Sequence, residues 1–149
     1  MKVTHDSRQA LSRARFFLAK ASACPAEARV EHEACLEAAI VFARAAVHRV
    51  QAKYKGHTGW NAWWDSLRAD PAVDFFRTER DWILKEAPPK LCQKICVASI
   101  GDSEAAYVPQ TAAEFYYFDD PSTPATATVE KHLKSLEATL ADAAKRFSP

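Results

Sequence analysis

Glycine is scarce in this chain, with three residues in 149, at positions 56, 59 and 101. A β-sandwich, a Rossmann crossover and a phosphate-cradling loop all consume glycine, so the scarcity argues against each of them. Long apolar runs are missing too. No stretch reaches the roughly 18 apolar residues needed to span a bilayer. The opening MKVTHDSRQALSRARFF has neither an unbroken apolar centre nor a small-residue cleavage site, so it does not read as a secretory signal. These features predict a cytoplasmic protein with no membrane partner. An excess of either charge is also lacking, since the formal net charge is +1. A domain that grips duplex nucleic acid by neutralising phosphates is usually more basic, or carries one basic stripe. Arg8, Arg13, Arg15 and Lys20 therefore read as a solvated helix face. Cys24, Cys35, Cys92 and Cys96 show no paired C-x2-C units, so they read as free thiols, and no metal or cofactor is expected.

What is abundant is alanine, the strongest helix former, in runs such as AEARVEHEACLEAAIVFARAAV. The length suits one domain, residues 1–149, with a core of its own. Helical spacing of Leu11, Ala14, Leu18 and Ala21 predicts a first helix over about residues 6–23, broken at Cys24-Pro25. Pro25 suits the first position of a second helix over 25–54, whose stripe is Leu36, Ile40, Ala43, Val47 and Val50. Gly56-His57-Thr58-Gly59 ends it. Trp60, Trp63, Trp64 and Leu67 form one face of a short helix over 60–69. That face reads as core packing, with a ligand-stacking platform as the alternative. Asp70-Pro71 pairs an N-cap acid with a first-turn proline and starts a fourth helix running to about residue 86.

Residues 91–118 are rich in β-branched and aromatic side chains, with Gly101-Asp102 as a turn, and predict a two-stranded hairpin. Residues 119–124 carry turn chemistry and read as a connecting loop. Val129, Leu133, Leu136, Leu140, Ala143 and Phe147 make a second four–three stripe on a last helix over 125–147. The fold class expected is mainly all-α: an antiparallel four- or five-helix bundle with a small β-hairpin before the last helix.

The segment FFRTERDWILKE is the most informative for chemistry. Arg80 follows Phe76 by four and precedes Ile83 by three, so it points toward their apolar side. A guanidinium there must be paired or face a cavity. Glu33, Glu37 and Arg44 lie near the stripe of the second helix, which predicts an inward network of Arg80, Arg44, Asp81, Glu37 and Glu86. Arg80 is expected to be at least half buried against Glu37, Glu33 or Glu86. That network is either an ion pair that fixes helix register or a functional cleft. The five histidines have no metal-ligand spacing and read as exposed or ordinary. No zincin motif, nucleophile elbow or Gly-rich phosphate loop is present.

EAAIVFARAAVHRV followed by FFRTERDWILKE resembles the HEPN superfamily, over residues 8–87 and 125–147. The resemblance implies a helical bundle that dimerises so that two signature motifs line one cleft. Active members are metal-independent ribonucleases, many of them in toxin–antitoxin or defence systems. Their signature is an arginine, a polar residue, three to five others and a histidine. Carried over, Arg80 is the signature arginine and Asp81 the polar residue, while Lys85, Glu86 and Ala87 stand where the histidine would fall. Histidine suits proton transfer because its pKa lies near neutrality. Lys85 would need strong desolvation to act as a base, and Glu86 a raised pKa to act as an acid. Arg44 and His48 share a helix face, one residue closer than the signature spacing.

Three readings follow. The first is a non-catalytic HEPN-like interaction domain acting through a homodimer or a protein partner. The second is a metal-independent ribonuclease with an atypical site, using Arg80, Asp81, Lys85 or Glu86 on RNA. The third is a small-molecule or nucleotide-binding bundle with Trp63 and Trp64 lining the pocket.

Overall fold

The alanine runs and the four–three stripes become helices in the computed structural model, which describes residues 6–85, 90–93, 97–100, 104–107 and 112–148. The helices are α1 (Ser7–Ser22), α2 (Arg29–Tyr54), α3 (Trp60–Leu67), α4 (Pro71–Leu84) and α5 (Ala125–Phe147). Short strands lie between α4 and α5: β1 (Leu91–Cys92), β2 (Val97–Ile100), β3 (Glu104–Tyr107), β4 (Tyr116–Tyr117) and β5 (Asp120–Pro124). The chain is mainly helical with a small β part before the last helix, as its patterning predicts.

Contacts near the helix ends give the bundle its directions. Arg49 near the end of α2 donates to the carbonyl of Asp6, the N-cap of α1, while His32 near the start of α2 bonds the carbonyl of Ala21 near the end of α1. The two helices are therefore antiparallel. Thr139 of α5 meets Asp70 at the start of α4, and Phe75 one turn on stacks on His132, so α4 and α5 are antiparallel too. Tyr54 at the end of α2 bonds Ser148 just beyond α5, which sets those two helices in the same sense. Each neighbour in the α1–α2–α4–α5 bundle thus contributes one apolar stripe to a shared core.

The stripe residues fill that core. Ile40 is 2% exposed and Leu136 fully buried, and every other residue of both predicted stripes is buried with them. Small residues on α1 (Ala10, Ala14, Ala21) and α2 (Ala39, Ala43, Ala46) are buried alongside, and they let these backbones approach closely. Aromatic groups close both ends. At one end Trp60 packs on Phe147 with ring centres 5.4 Å apart, and Phe147 lies 5.9 Å from Tyr54. At the other, Phe75 meets Tyr117 edge-on and Phe115 stacks on His32. Gly56 and Gly59 both take positive φ, which lets the chain reverse between α2 and α3.

Several expectations need correction. The second helix starts at Arg29, not at Pro25. Pro25 instead bridges to Ala112, and the neighbouring Cys24 carbonyl accepts from the Ala113 amide at 3.0 Å, so this backbone is committed to the strand segment. The fourth helix ends at Leu84 and the third at Leu67, each about a turn or less short of expectation. The predicted hairpin corresponds to β2 and β3, with Val97 opposite Tyr107 and Ile100 opposite Glu104; Gly101 and Asp102 lie outside the described residues. The patterning does not predict the second sheet. Strands β1, β4 and β5 pair antiparallel in that order, so the segment read as a loop holds an edge strand. An edge position is where Pro121 and Pro124 can be tolerated, because a missing amide there breaks no inner ladder. His32 is also not exposed: it is 1% accessible, with Nδ1 donating to the Ala21 carbonyl at 2.6 Å.

Cys24 and Cys35 are buried and Cys92 partly so, all three as free thiols; Cys96 lies outside the described residues. Among the described residues, no helix is long and apolar enough to cross a membrane.

Candidate functional site

The start of α4 is firmly set. The Asp70 carboxylate accepts from the amides of Ala72 and Val73 at 2.9 and 3.1 Å, and Pro71 supplies the first helical φ. From that start, Ala72, Val73 and Phe76 are buried in the core. Beyond Phe76 the apolar line runs on to Ile83, and the residues between them fall on either flank of it. Glu79 falls on one flank and Arg80 on the other, because three residues past Phe76 fall short of a full turn and four overshoot it.

The Arg80 flank faces α2 and the end of α3. Arg44 and His48, one turn apart on α2, lie within electrostatic reach of Arg80 and Asp81. Beside them a groove of about 460 Å³ is lined by Arg44, Gln51, Trp64, Arg68 and Arg77, with Leu67 and Val73 below. Trp64 stacks on the buried Trp60 with ring centres 5.4 Å apart and also lines the groove. Trp63 packs on Trp60 and Phe147 instead.

Charges in this region are unevenly paired. Arg80 donates to Asp81 at 3.0 Å, and Arg77 pairs with Asp74. Arg44 has no ion pair among the described residues. Burial lowers its pKa, the Asp81 charge opposes that, and Arg77 and Arg80 add to the lowering. His48 is pulled below its ordinary value by burial and by Arg44 and Arg80, against a hydrogen bond with Gln51 and the charge of Asp81. Asp81 is held low chiefly by its hydrogen bond from Arg80, with help from Lys85 and Arg44. The result is a local surplus of guanidinium groups around one indole, in a chain of nearly zero net charge. Such a groove suits a phosphate together with a flat ring that stacks.

The predicted network is brought together only in part. Arg80, Asp81 and Arg44 do share one region. Arg80 keeps 39% of its side chain exposed, and its carboxylate partner is its neighbour Asp81, not Glu33 or Glu37. Those two glutamates lie across α4 on the Glu79 flank. Lys85 is exposed at the end of α4, and Glu86 lies outside the described residues. The sequence pattern does not single out His48, Arg68 or Arg77 as members of the group. Only the four-residue spacing of Arg44 and His48 hints at the first, and nothing local marks the other two.

No family model matches this chain, and neither a curated protein nor a solved structure matches it. Among the described residues, no three His, Cys, Asp or Glu side chains converge as a metal site.

Proposed function

We propose that this chain is a HEPN-like, non-catalytic binding domain that holds a single-stranded RNA segment, by phosphate and base, in the arginine groove. The observation that carries the reading is Arg44. It is a partly buried guanidinium without an ion pair among the described residues, and it shares the groove with Arg68, Arg77 and the Trp64 ring. An arginine in that position has donors to offer a phosphate, and the indole can stack a base, at about 1–3 kcal/mol per stacked base. The domain works in the cytoplasm as a homodimer, with a role in a toxin–antitoxin or defence system following from the HEPN resemblance. Exposed Phe16, Leu84 and Phe118 are apolar surface that a second subunit can cover.

Fluorescence anisotropy with a short labelled RNA tests this reading. Three phosphate contacts predict a slope of log K against log salt of about −2, reduced in size by roughly 0.7 in Arg44→Ala. No binding at low salt, or a slope unchanged by Arg44→Ala, would count against it. Sedimentation that finds only a 16.6 kDa species at micromolar concentration would remove the dimer from the proposal.

One observation favours a catalytic alternative. His48, with its pKa lowered beside Arg44 and Arg80, is neutral near pH 7 and able to accept a proton from a 2′-hydroxyl. Metal-independent RNA cleavage that is lost in both Arg80→Ala and His48→Ala would establish the ribonuclease reading instead.

A further inference from the structure

The Glu79 flank of α4 forms a separate pocket of about 190 Å³, against α2 and the β1–β4 edge. That is smaller than the ~300 Å³ at which drug-sized sites begin. Ile40, Ile83 and Leu91 give it apolar walls, while Glu33, Glu37 and Glu79 bring three carboxylates. Tyr117 also lines it. This residue is 5% exposed, and its hydroxyl has no hydrogen-bond partner among the described residues. Most buried hydroxyls are satisfied by protein or water, so an orphan one can serve a polar group bound beside it. Burial first, and then the charges of Glu79, Asp119 and Glu37, oppose its ionisation. Two of those acids, Glu79 and Glu37, line this pocket together with Tyr117.

The pocket already holds one ammonium group. Lys90 Nζ lies 3.2 Å from Glu79 Oε1 and 4.5 Å from the centre of the Trp82 ring. A carboxylate and an aromatic face together are a fitting seat for such a cation. Glu79 is thereby served, but Glu33 and Glu37, one turn apart on α2, have no cation among the described residues. Burial and the Glu33 charge push the Glu37 carboxyl up, as expected for an acid that lacks a counter-charge.

We propose that this pocket is a binding site for a small primary alkylammonium, held by the Glu37 carboxylate and the Tyr117 hydroxyl oxygen. Its alkyl body lies on Ile40, Ile83 and Leu91. The acidic rim rejects anions, so the site is distinct in chemistry from the arginine groove and does not depend on the RNA reading.

An amide NMR titration of the full chain with butylamine at neutral pH tests the assignment, with butanol as a neutral control of the same shape. Saturable shifts are expected at Glu37, Ile83, Leu91 and Tyr117 with the amine and not with the alcohol. Glu37→Gln should weaken binding about tenfold, the usual loss for one charge-assisted hydrogen bond. Tyr117→Phe should weaken it by a smaller factor, and Arg44→Ala should leave it unchanged. Both pocket variants conserve volume, and an unaltered amide spectrum elsewhere verifies their fold. Equal shifts with butanol, non-saturating shifts spread over the surface acids, or undiminished affinity in Glu37→Gln or Tyr117→Phe would overturn the proposal.

Discussion

Arg15 of α1 grips Glu137 of α5 through two parallel hydrogen bonds, Nε to Oε1 and Nη2 to Oε2, each 2.8 Å long. Its third nitrogen reaches Glu130, two turns earlier on α5. This forked contact is a polar link between the first and last helices whose geometry lysine cannot reproduce. Both partners are about one-third exposed, so screening limits its worth. Arg15→Ala is expected to cost about 1 kcal/mol in urea melts, with Arg15→Lys recovering less than half. The hydrogen bond from Arg15 lowers the Glu130 pKa below its ordinary value of 4.5. That contribution is complete above the ordinary value and is lost as pH falls through the lowered one. Arg15→Ala should therefore flatten the acid limb of the stability curve below about pH 4.5. An unchanged acid limb would show that the link carries no free energy.

Ile40 and Leu136 sit inside the two facing stripes, at 2% and 0% exposure. Ile40→Ala and Leu136→Ala should each lose about 2–5 kcal/mol, from lost burial and the cavity left behind. Urea midpoints that do not move would show that these stripes do not form the core.

On the first of its two readings, a buried ion pair that fixes helix register, loss of Arg80 costs several kcal/mol. Its partner Asp81 is 43% exposed and Arg80 39%, so the pair belongs to the surface class. Arg80→Met should thus change stability by no more than about 1 kcal/mol. A thermal melt showing a loss above roughly 3 kcal/mol would restore the buried-pair reading.

His132 of α5 stacks on Phe75 with ring centres 4.2 Å apart. Burial, aided by Lys131 and opposed by Asp70, lowers its pKa from an ordinary 6.5. The folded state therefore takes up a proton less readily than the unfolded chain. Stability is full above about pH 6.5 and declines as pH falls below it, levelling off beneath the folded pKa. His132→Gln should lose less stability between about pH 7 and pH 5 than the parent does. Equal losses on denaturant titration at the two pH values would assign the acid sensitivity to other groups.

Local chemistry alone determined the helical framework. The spacing of Val129 through Phe147 predicts the bounds of α5, and the stripe from Leu36 to Val50 marks the buried face of α2. Asp70-Pro71 marks the start of α4 through capping, a matter of neighbouring residues only. These features are legible because helical periodicity and caps act within a few residues. Tertiary packing decided the rest. Pro25 suits a helix start, yet its backbone is taken by Ala112, which is distant in sequence. Asp120–Pro124 carries turn residues, yet becomes a strand because β4 lies alongside it. Whether Glu79 or Arg80 faces a given neighbour depends on the rotation of α4 about its axis, which is set by contacts with α2 and α5. The arginine groove draws on α2, α3 and α4, and the acidic pocket on α2, α4 and the small sheet. No spacing along the chain encodes such meetings, because each depends on how separate helices pack rather than on the order of residues within any one of them.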